Sequence, residues 1–342
     1  MLKKGLVQVY TADTNLFNFA PIGLSLRAAG QGLRSLITCL VPQEPMEGAS
    51  TASALLKSNL IIDNSCIKGT PPHIKPPSNK IIDSFEHARK AAIKGNFDIV
   101  ILNGIHSILD QGIITVEEIL TLMEEKSSSV ELILTGPWAP EEIIKRADLV
   151  TKMTVSHSRK GSVEKDRHQG PGTIEIITGD GKGKTTYCLG RAMFASCSGI
   201  RSAILQFIKS PQAYGEVKAI RNFPLLTIQT MGKGFIYSND PEDNRKHLEA
   251  VQHAWEISVK EILSKKYGLI VLDEINIAVH YGFILIEQIK DLIDRKPDEL
   301  TILLSGRNAP PSLTALAATT IRMQEIKHPF AKGIKARKGI EF

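Results

Sequence analysis

The sequence predicts an α/β fold, a mainly parallel sheet with helices on both faces, present twice in tandem. Three observations carry that expectation. Runs such as LIVLD (269–273) and TILLS (301–305) are apolar without polar alternation, as strands covered on both faces are. Segments of helical periodicity separate these runs, which implies crossovers between parallel neighbours. The first part of the chain also recurs in the second. Residues 6–40 match 173–207 at an offset of 167, placing Thr11 on Thr178, Asp13 on Asp180, Gly23 on Gly190, Gly32 on Gly199 and Arg34 on Arg201. FDIVILNGIHSILDQG (97–112) matches YGLIVLDEINIAVHYG (267–282) at an offset of 170, which holds through LILTGPWAP (132–140) on ILLSGRNAP (302–310) and reaches Met153 on Met323. A register this long is duplication, not chance.

Each copy is long enough to bury its own core. The units are residues 1–155 and 173–342, and the polar, Ser-, Gly- and charge-rich stretch 156–172 is the linker between them. In the second copy the expected strands, in order, are 173–178, 201–207, 225–230, 267–272, 300–305 and 319–324. Helical patterns fall at 184–197, 242–265 and 284–294. A Pro-rich stretch of the first copy, from about 42 to 80, is expected to be irregular.

Composition bounds the function. The 342 residues are 42% hydrophobic and 23% charged, which excludes a wholly disordered chain, a collagen and a coiled coil. No run approaches the roughly 18 apolar residues of a membrane span. The N-terminus lacks an apolar signal core and reads as the first strand of a cytoplasmic protein. Cys39, Cys66, Cys188 and Cys197 show no metal or redox spacing and are expected to be small hydrophobes. A net charge of +6 favours anionic ligands in general. The basic residues near the end (Lys327, Lys332, Lys335, Arg337, Lys338) lack interleaved stacking aromatics, so nucleic acid is not expected and the tail is read as a solvated edge near the site.

The chemistry concentrates in the second copy. GDGKGKTT (179–186) follows an apolar strand and precedes a helix, the setting of a phosphate loop. Gly179, Asp180, Gly181, Lys182 and Gly183 form the turn, whose glycines let backbone N–H groups and a helix N-terminus face an anion. Lys184 can reach phosphate oxygens; Thr185 can ligate Mg²⁺, and Thr186 closes the motif. The loop is one residue shorter than the usual G-x-x-x-x-G-K-[ST], with Thr178 where the first glycine would be. LIVLDE (269–274) ends in Asp273 and Glu274 at the carboxyl edge of the expected sheet, where one of them holds Mg²⁺ or Asp273 caps the next helix. Arg307, in LLSGRNAP (303–310), either clamps phosphate or ribose oxygens or is a surface arginine in a turn. In the first copy Leu16, Phe17 and Asn18 replace Gly183, Lys184 and Thr185, while Asn103, Gly104 and Pro137 replace Asp273, Glu274 and Arg307. The apolar frame survives without the charges, so the first copy is expected to be a pseudoenzyme domain with a structural role.

The shortened loop, VLDEIN (271–276), LSGRNAP (304–310), QFIK (206–209), GKGFIY (232–237) and the ending KHPFAKGIKARKGIEF (327–342) together resemble the P-loop type of ATP:cob(I)alamin, or corrinoid, adenosyltransferase. The resemblance covers nearly all of 173–342 and, more faintly, 1–157. It implies a RecA-like P-loop fold, ATP and a corrinoid as substrates, Mg²⁺, attack of Co(I) on the 5′ carbon of ATP, and release of triphosphate to give adenosylcobalamin or a precursor. It also implies a Co(II) reductase such as a flavoprotein as partner, and a homodimer or an internal pseudo-dimer. Phe235 and Tyr237 match the two family aromatics that displace the corrinoid's lower ligand; the second is commonly Trp, so Tyr237 is a departure. The competing expectations are a generic P-loop ATPase or kinase and a non-catalytic, nucleotide-gated corrinoid-binding protein.

Overall fold

The buried runs of the sequence become the interior of one twelve-stranded sheet that both copies share. The computed structural model describes residues 2–14, 17–42, 48–71, 74–157, 171–212, 214–234, 241–329 and 333–342. In the first half the elements are β1 (Val7–Ala12), α1 (Ala20–Ala29), β2 (Ser35–Cys39), α2 (Ala49–Leu56), β3 (Leu60–Asp63), α3 (Ser78–Lys94), β4 (Ile99–Asn103), α4 (Ile105–Asp110), α5 (Val116–Glu125), β5 (Glu131–Pro137), α6 (Glu141–Arg146) and β6 (Leu149–His157). The second half follows the same plan with β7 (Ile174–Thr178), α7 (Lys184–Cys197), β8 (Ser202–Gln206), α8 (Gly215–Ile220), β9 (Leu226–Thr230), α9 (Pro241–Leu263), β10 (Leu269–Asp273), α10 (Ile275–His280), α11 (Ile286–Arg295), β11 (Thr301–Ser305), α12 (Pro311–Thr314) and β12 (Thr319–Lys327). The Pro-rich stretch is more regular than its composition suggests, since α2 and β3 lie inside it. β6 runs to His157, past the expected start of the linker, and 158–170 lie outside the described residues.

Strand order is β3-β2-β4-β5-β1-β6 in the first half and β12-β7-β11-β10-β8-β9 in the second, the same order about a central seam. Every pairing within a half is parallel; the seam, β6 on β12, is antiparallel. Along it Met153 faces Met323, its own counterpart in the duplication. Behind the seam α1 crosses α7 so closely that a Cβ on Gly23 would lie 1.8 Å from Thr186 O, and one on Gly190 2.9 Å from Gly23 N. Gly23 and Gly190 are again counterparts, so a pseudo-twofold axis relates the halves. Neither glycine can accept a side chain without separating the helices. Because the seam is antiparallel, the carboxyl edges of the two half-sheets face opposite ends of the molecule.

Both faces of the second half are covered. Ile176, Leu205, Leu272 and Leu304 pack in one core with Val251, Ala254 and Trp255 of α9 and Leu292 of α11. Their neighbours Ile177, Ile204, Val271 and Leu303 face the opposite way, into a core with Leu189 and Phe194 of α7 that continues into the first half. Strand residues thus alternate between two apolar cores, which is why no polar alternation appears in the sequence. The cysteines are free; Cys39, Cys66 and Cys188 are buried. No helix among the described residues is long and apolar enough to cross a membrane.

Candidate functional site: a phosphate cradle at the edge of the second half

The chain leaves β7 at Thr178 and turns through Gly179 with φ +98°, where a Cβ would sit 2.2 Å from Met323 O. Gly181 N–H donates to that same carbonyl at 2.8 Å, so the loop rests on the seam strand β12. Gly183, at φ +110°, is the N-cap of α7. A left-handed turn packed against backbone leaves glycine as the residue that fits. The fourteen-residue α7 then points its N-terminus, with its unpaired donors and positive dipole end, at the sheet edge. Lys184 folds back so that Nζ donates to Gly181 O at 2.7 Å. Burial, and then the neighbouring Arg307 charge, push its ammonium down to about 8. Such a lysine gains from an incoming polyanion.

The carboxylate edge lies beside it. Asp273, at the end of β10, is fully buried. Its Oδ1 accepts from Thr185 Oγ1 at 3.1 Å and from Ser305 Oγ at 2.6 Å; its Oδ2 accepts from Gln206 Nε2 at 2.8 Å. Four elements, α7, β8, β10 and β11, therefore converge on one carboxylate. The capping alternative for Asp273 does not hold, because the N-cap of α10 is Glu274 and no side chain caps that helix. Glu274 adopts φ +67°, a left-handed backbone with a side chain, and its N–H donates to Ser305 Oγ at 3.1 Å. Its Oε2 is buried without a hydrogen-bond partner. Burial, and then Asp273, push its carboxyl up to about 7. An orphaned carboxylate oxygen next to a hydroxyl already held by a second carboxylate is a donor set that fits Mg²⁺, a cation that takes one or two carboxylates and completes its shell with phosphate and water.

The other expected residues divide. Asp180 lends its carbonyl to exposed Arg307, whose Nη2 donates to it at 3.3 Å, so Arg307 stands at the rim of the cradle. Thr186 turns inward and donates to Gly183 O at 3.1 Å. Lys182 points away from the cradle and pairs with Glu341 at 2.7 Å. Phe235 and Tyr237 lie outside the described residues. The basic tail is a solvated edge only in part: Lys335 and Lys338 are exposed and Lys332 lies outside the described residues, but Arg337 grips Glu131 of β5 through Nη1 at 2.7 Å and Nη2 at 2.9 Å. Lys327 donates to the carbonyls of Ile144 at 2.9 Å and Ala147 at 3.3 Å, at the end of α6. The tail straps the second half onto the first. Sequence reasoning gave no role to Gln206, Ser305, Asn276 or Lys209. The signal was present for three of them, since Gln206 and Lys209 sit in QFIK and Ser305 ends a strand next to the one tipped by Asp273. Asn276 donates from Nδ2 to Gly306 O at 3.1 Å and braces the β11 turn.

In the first half an aromatic residue stands at the position of the lysine. Phe17, at the position of Lys184, packs edge-on to Phe19 with ring centroids 4.6 Å apart, and Phe19 meets Tyr187 and Phe194 of α7 at 5.4 and 6.2 Å. Aromatic rings from the first half thus buttress the helix that follows the glycine loop of the second.

A doubly covered parallel sheet with a glycine cradle leading into a helix defines a P-loop α/β protein, here with two fused units and one cradle. The family model for ATP:corrinoid adenosyltransferases (BtuR/CobO/CobP) matches residues 3–167 and again 170–342. The chain belongs to this family. An uncharacterized protein of Nostoc sp. (strain PCC 7120) is 31% identical over 365 residues, covering 99% of this chain and 95% of that one. Corrinoid adenosyltransferases of Pseudomonas aeruginosa and Sinorhizobium sp. are 32% and 33% identical, covering 50% and 56% of this chain and 84% and 90% of their own. These enzymes match about one unit's length, whereas the Nostoc protein matches both.

Proposed function

We propose that the second half transfers the 5′-deoxyadenosyl group of ATP to the reduced cobalt of a corrinoid, forming adenosylcobalamin or a precursor and releasing triphosphate. The observation that carries this is the convergence of Lys184, Thr185, Asp273 and Glu274 at one sheet edge in a chain of this family. In the reaction the cobalt electron pair forms the Co–C5′ bond while the C5′–O bond breaks and its electrons leave on the triphosphate. Such a nucleophile needs no general base, and no Ser/His/Asp set is required of the site. What the protein must do is orient ATP and stabilise the leaving group. Lys184 and the α7 N-terminus hold the phosphates, and Arg307 can close over them from the rim. Thr185, Asp273 and Glu274 would hold Mg²⁺, which when bound offsets the charge growing on the leaving oxygens.

The corrinoid approaches from the β9 side in this reading. A cavity of about 630 Å³, lined by Met231, Lys233, Lys246, Glu249, Ala250 and His253, opens there next to the glycine turn that leads into Phe235 and Tyr237. Those aromatics displace the lower ligand of the cobalt, so that a reductase, of the flavoprotein kind, can deliver the electron that makes Co(I). The setting is cytoplasmic, and the first half turns over nothing itself. Incubation of the full chain with ATP, Mg²⁺ and chemically reduced corrinoid tests the proposal. The expected result is the absorbance change of a new cobalt–carbon bond with one triphosphate per bond. Release of ADP with no such bond would overturn it in favour of an ATPase or kinase; tight corrinoid binding with neither product would leave a binding protein.

A further inference from the structure

At the joint of α1 with α8 the two halves share an ion pair that the pseudo-twofold axis does not repeat. Where α1 meets α8, a Cβ on Gly30 would lie 1.7 Å from Gly215 O, and one on Gly215 2.1 Å from Arg27 O. This approach brings buried Arg27 of the first half onto Glu216 of the second, which is wholly inaccessible to solvent. Arg27 Nε donates to Glu216 Oε2 at 2.9 Å and Nη2 to Oε1 at 3.3 Å. Its Nη1 donates to the carbonyls of Ile340 and Glu341 at 3.1 and 3.0 Å. Glu216 Oε1 also accepts from Lys209 Nζ at 2.9 Å. Lys209 stands three residues beyond Gln206, the residue that holds Asp273. The backbone beside it secures the glycine turn: Gly232 N–H donates to Lys209 O at 2.9 Å and Gly234 N–H to Ile208 O at 2.7 Å.

The pseudo-twofold axis supplies a control within the same molecule. It places Phe194 at Arg27, Ala49 at Glu216 and Pro42 at Lys209. The helix contact itself is repeated there, since a Cβ on Gly48 would lie 2.7 Å from Cys197 Cβ. The fold therefore closes this joint with apolar residues on one side and with a buried ionic triad on the other. Burying three charges brings no stability advantage over a packed apolar joint, and often the reverse. The ionic version is kept on the side that leads to the cradle.

We propose that Arg27 is a positioning residue supplied by the first half: by holding Glu216 it fixes Lys209 and the 208–209 backbone, and through them the 231–234 turn, whose Met231 and Lys233 line the cavity read above as the corrinoid's approach. This rests on the adenosyl-transfer reading, and gives the half without a cradle a part in the site beyond structural support.

The test uses full-length Arg27→Met, Arg27→Lys and the double variant Arg27→Met/Glu216→Gln. Arg27→Met should raise the corrinoid KM about tenfold and leave the ATP KM within about twofold. Arg27→Lys should recover part of the loss. The double variant removes the unpaired buried carboxylate, so its melting temperature should return toward wild type while its corrinoid KM stays raised. Recovery of both in the double variant, or an unchanged corrinoid KM in Arg27→Met, overturns the inference and leaves Arg27 as packing. Amide hydrogen exchange of the nucleotide-free protein gives an independent readout. Gly232 and Gly234 should exchange faster in the double variant than in wild type, and equal rates overturn the positioning role whatever the enzyme turns over. If wild type forms no cobalt–carbon bond while these glycines still loosen, the functional reading has failed and the mechanical link has not.

Discussion

At the carboxyl edge of the first half, Asn103 Oδ1 accepts from Thr135 Oγ1 at 2.9 Å and Gly104 N–H donates to the same hydroxyl at 3.1 Å. At the second, Asp273 accepts from Ser305 Oγ at 2.6 Å and Glu274 N–H donates to that hydroxyl at 3.1 Å. The pairing continues outward. His106 Nδ1 meets Gly136 O at 3.0 Å where Asn276 Nδ2 meets Gly306 O at 3.1 Å. Ala139 and Ala309 N–H donate to Thr11 and Thr178 Oγ1 at 3.0 and 3.3 Å. The hydrogen-bond frame of the edge belongs to the fold, because it persists where the charges are gone. What distinguishes the second half is what was kept at a cost: a part-buried lysine, a buried carboxylate, and a glutamate in the left-handed region where the first half has Gly104 at φ +85°. Burial pushes the His106 imidazole down to about 4, so even its titratable group stays neutral near pH 7. The first half has the frame without the tension that chemistry needs.

The strongest way to break this comparison is to remove charge from the second half alone. Lys184→Ala should cut adenosyl transfer by about a thousandfold or more, the scale of losing a preorganised cation at a leaving group, while the melting temperature holds or rises because a part-buried charge has gone. Steady-state turnover beside a thermal scan decides it. Turnover within a few-fold of wild type would show that the cradle is not where the phosphates sit.

The converse change removes packing from the first half alone. Phe17 is nearly buried between Phe19 and Phe194. Phe17→Ala should cost about 3 kcal/mol of stability, the usual scale for emptying an aromatic site, and change the rate per folded molecule by less than about twofold. Denaturant unfolding against single-temperature kinetics separates the two. A rate loss as deep as that of Lys184→Ala at equal folded fraction would mean that the first half acts in the chemistry itself.

The cradle and the carboxylate-tipped strand were legible because each is written in contiguous residues whose chemistry has few other uses. The duplication was legible because its register is long. The seam was not: a pairing of β6 with β12 depends on two edges meeting, and neither edge carries a pattern that names its partner. Long-range ion pairs were equally invisible. Lys182 reads as a phosphate ligand in GDGKGKTT until Glu341, 159 residues away, is seen to hold it. Arg337 reads as a surface charge until Glu131 appears beneath it. The α2–β3 stretch was hidden by prolines that flank regular structure without entering it.

The smallest effect probes the tension at Glu274 directly. Its carboxyl is pushed from 4.5 up to about 7, so folding disfavours the ionised form. The cost is absent below about pH 4.5, grows as pH rises towards 7, and is fully present above it. Glu274→Gln, measured without Mg²⁺ or nucleotide, should match wild type at pH 4 and be more stable at pH 8, by something on the order of 2 kcal/mol after solvent screening. Glu274→Gly should gain about another 1 kcal/mol by relieving the left-handed backbone, as the first half does with Gly104. Lys184 contributes the opposite slope, a cost full below about pH 8 and lost on the way to 10.5, so pH 8 is read against a Lys184→Ala background as well. Adding Mg²⁺ and ATP should erase the advantage of both Glu274 variants, because only wild type recovers its cost on binding. Equal unfolding free energies for wild type and Glu274→Gln at pH 4 and pH 8 would mean that this carboxylate is held without strain, and that the two edges differ in composition but not in stored energy.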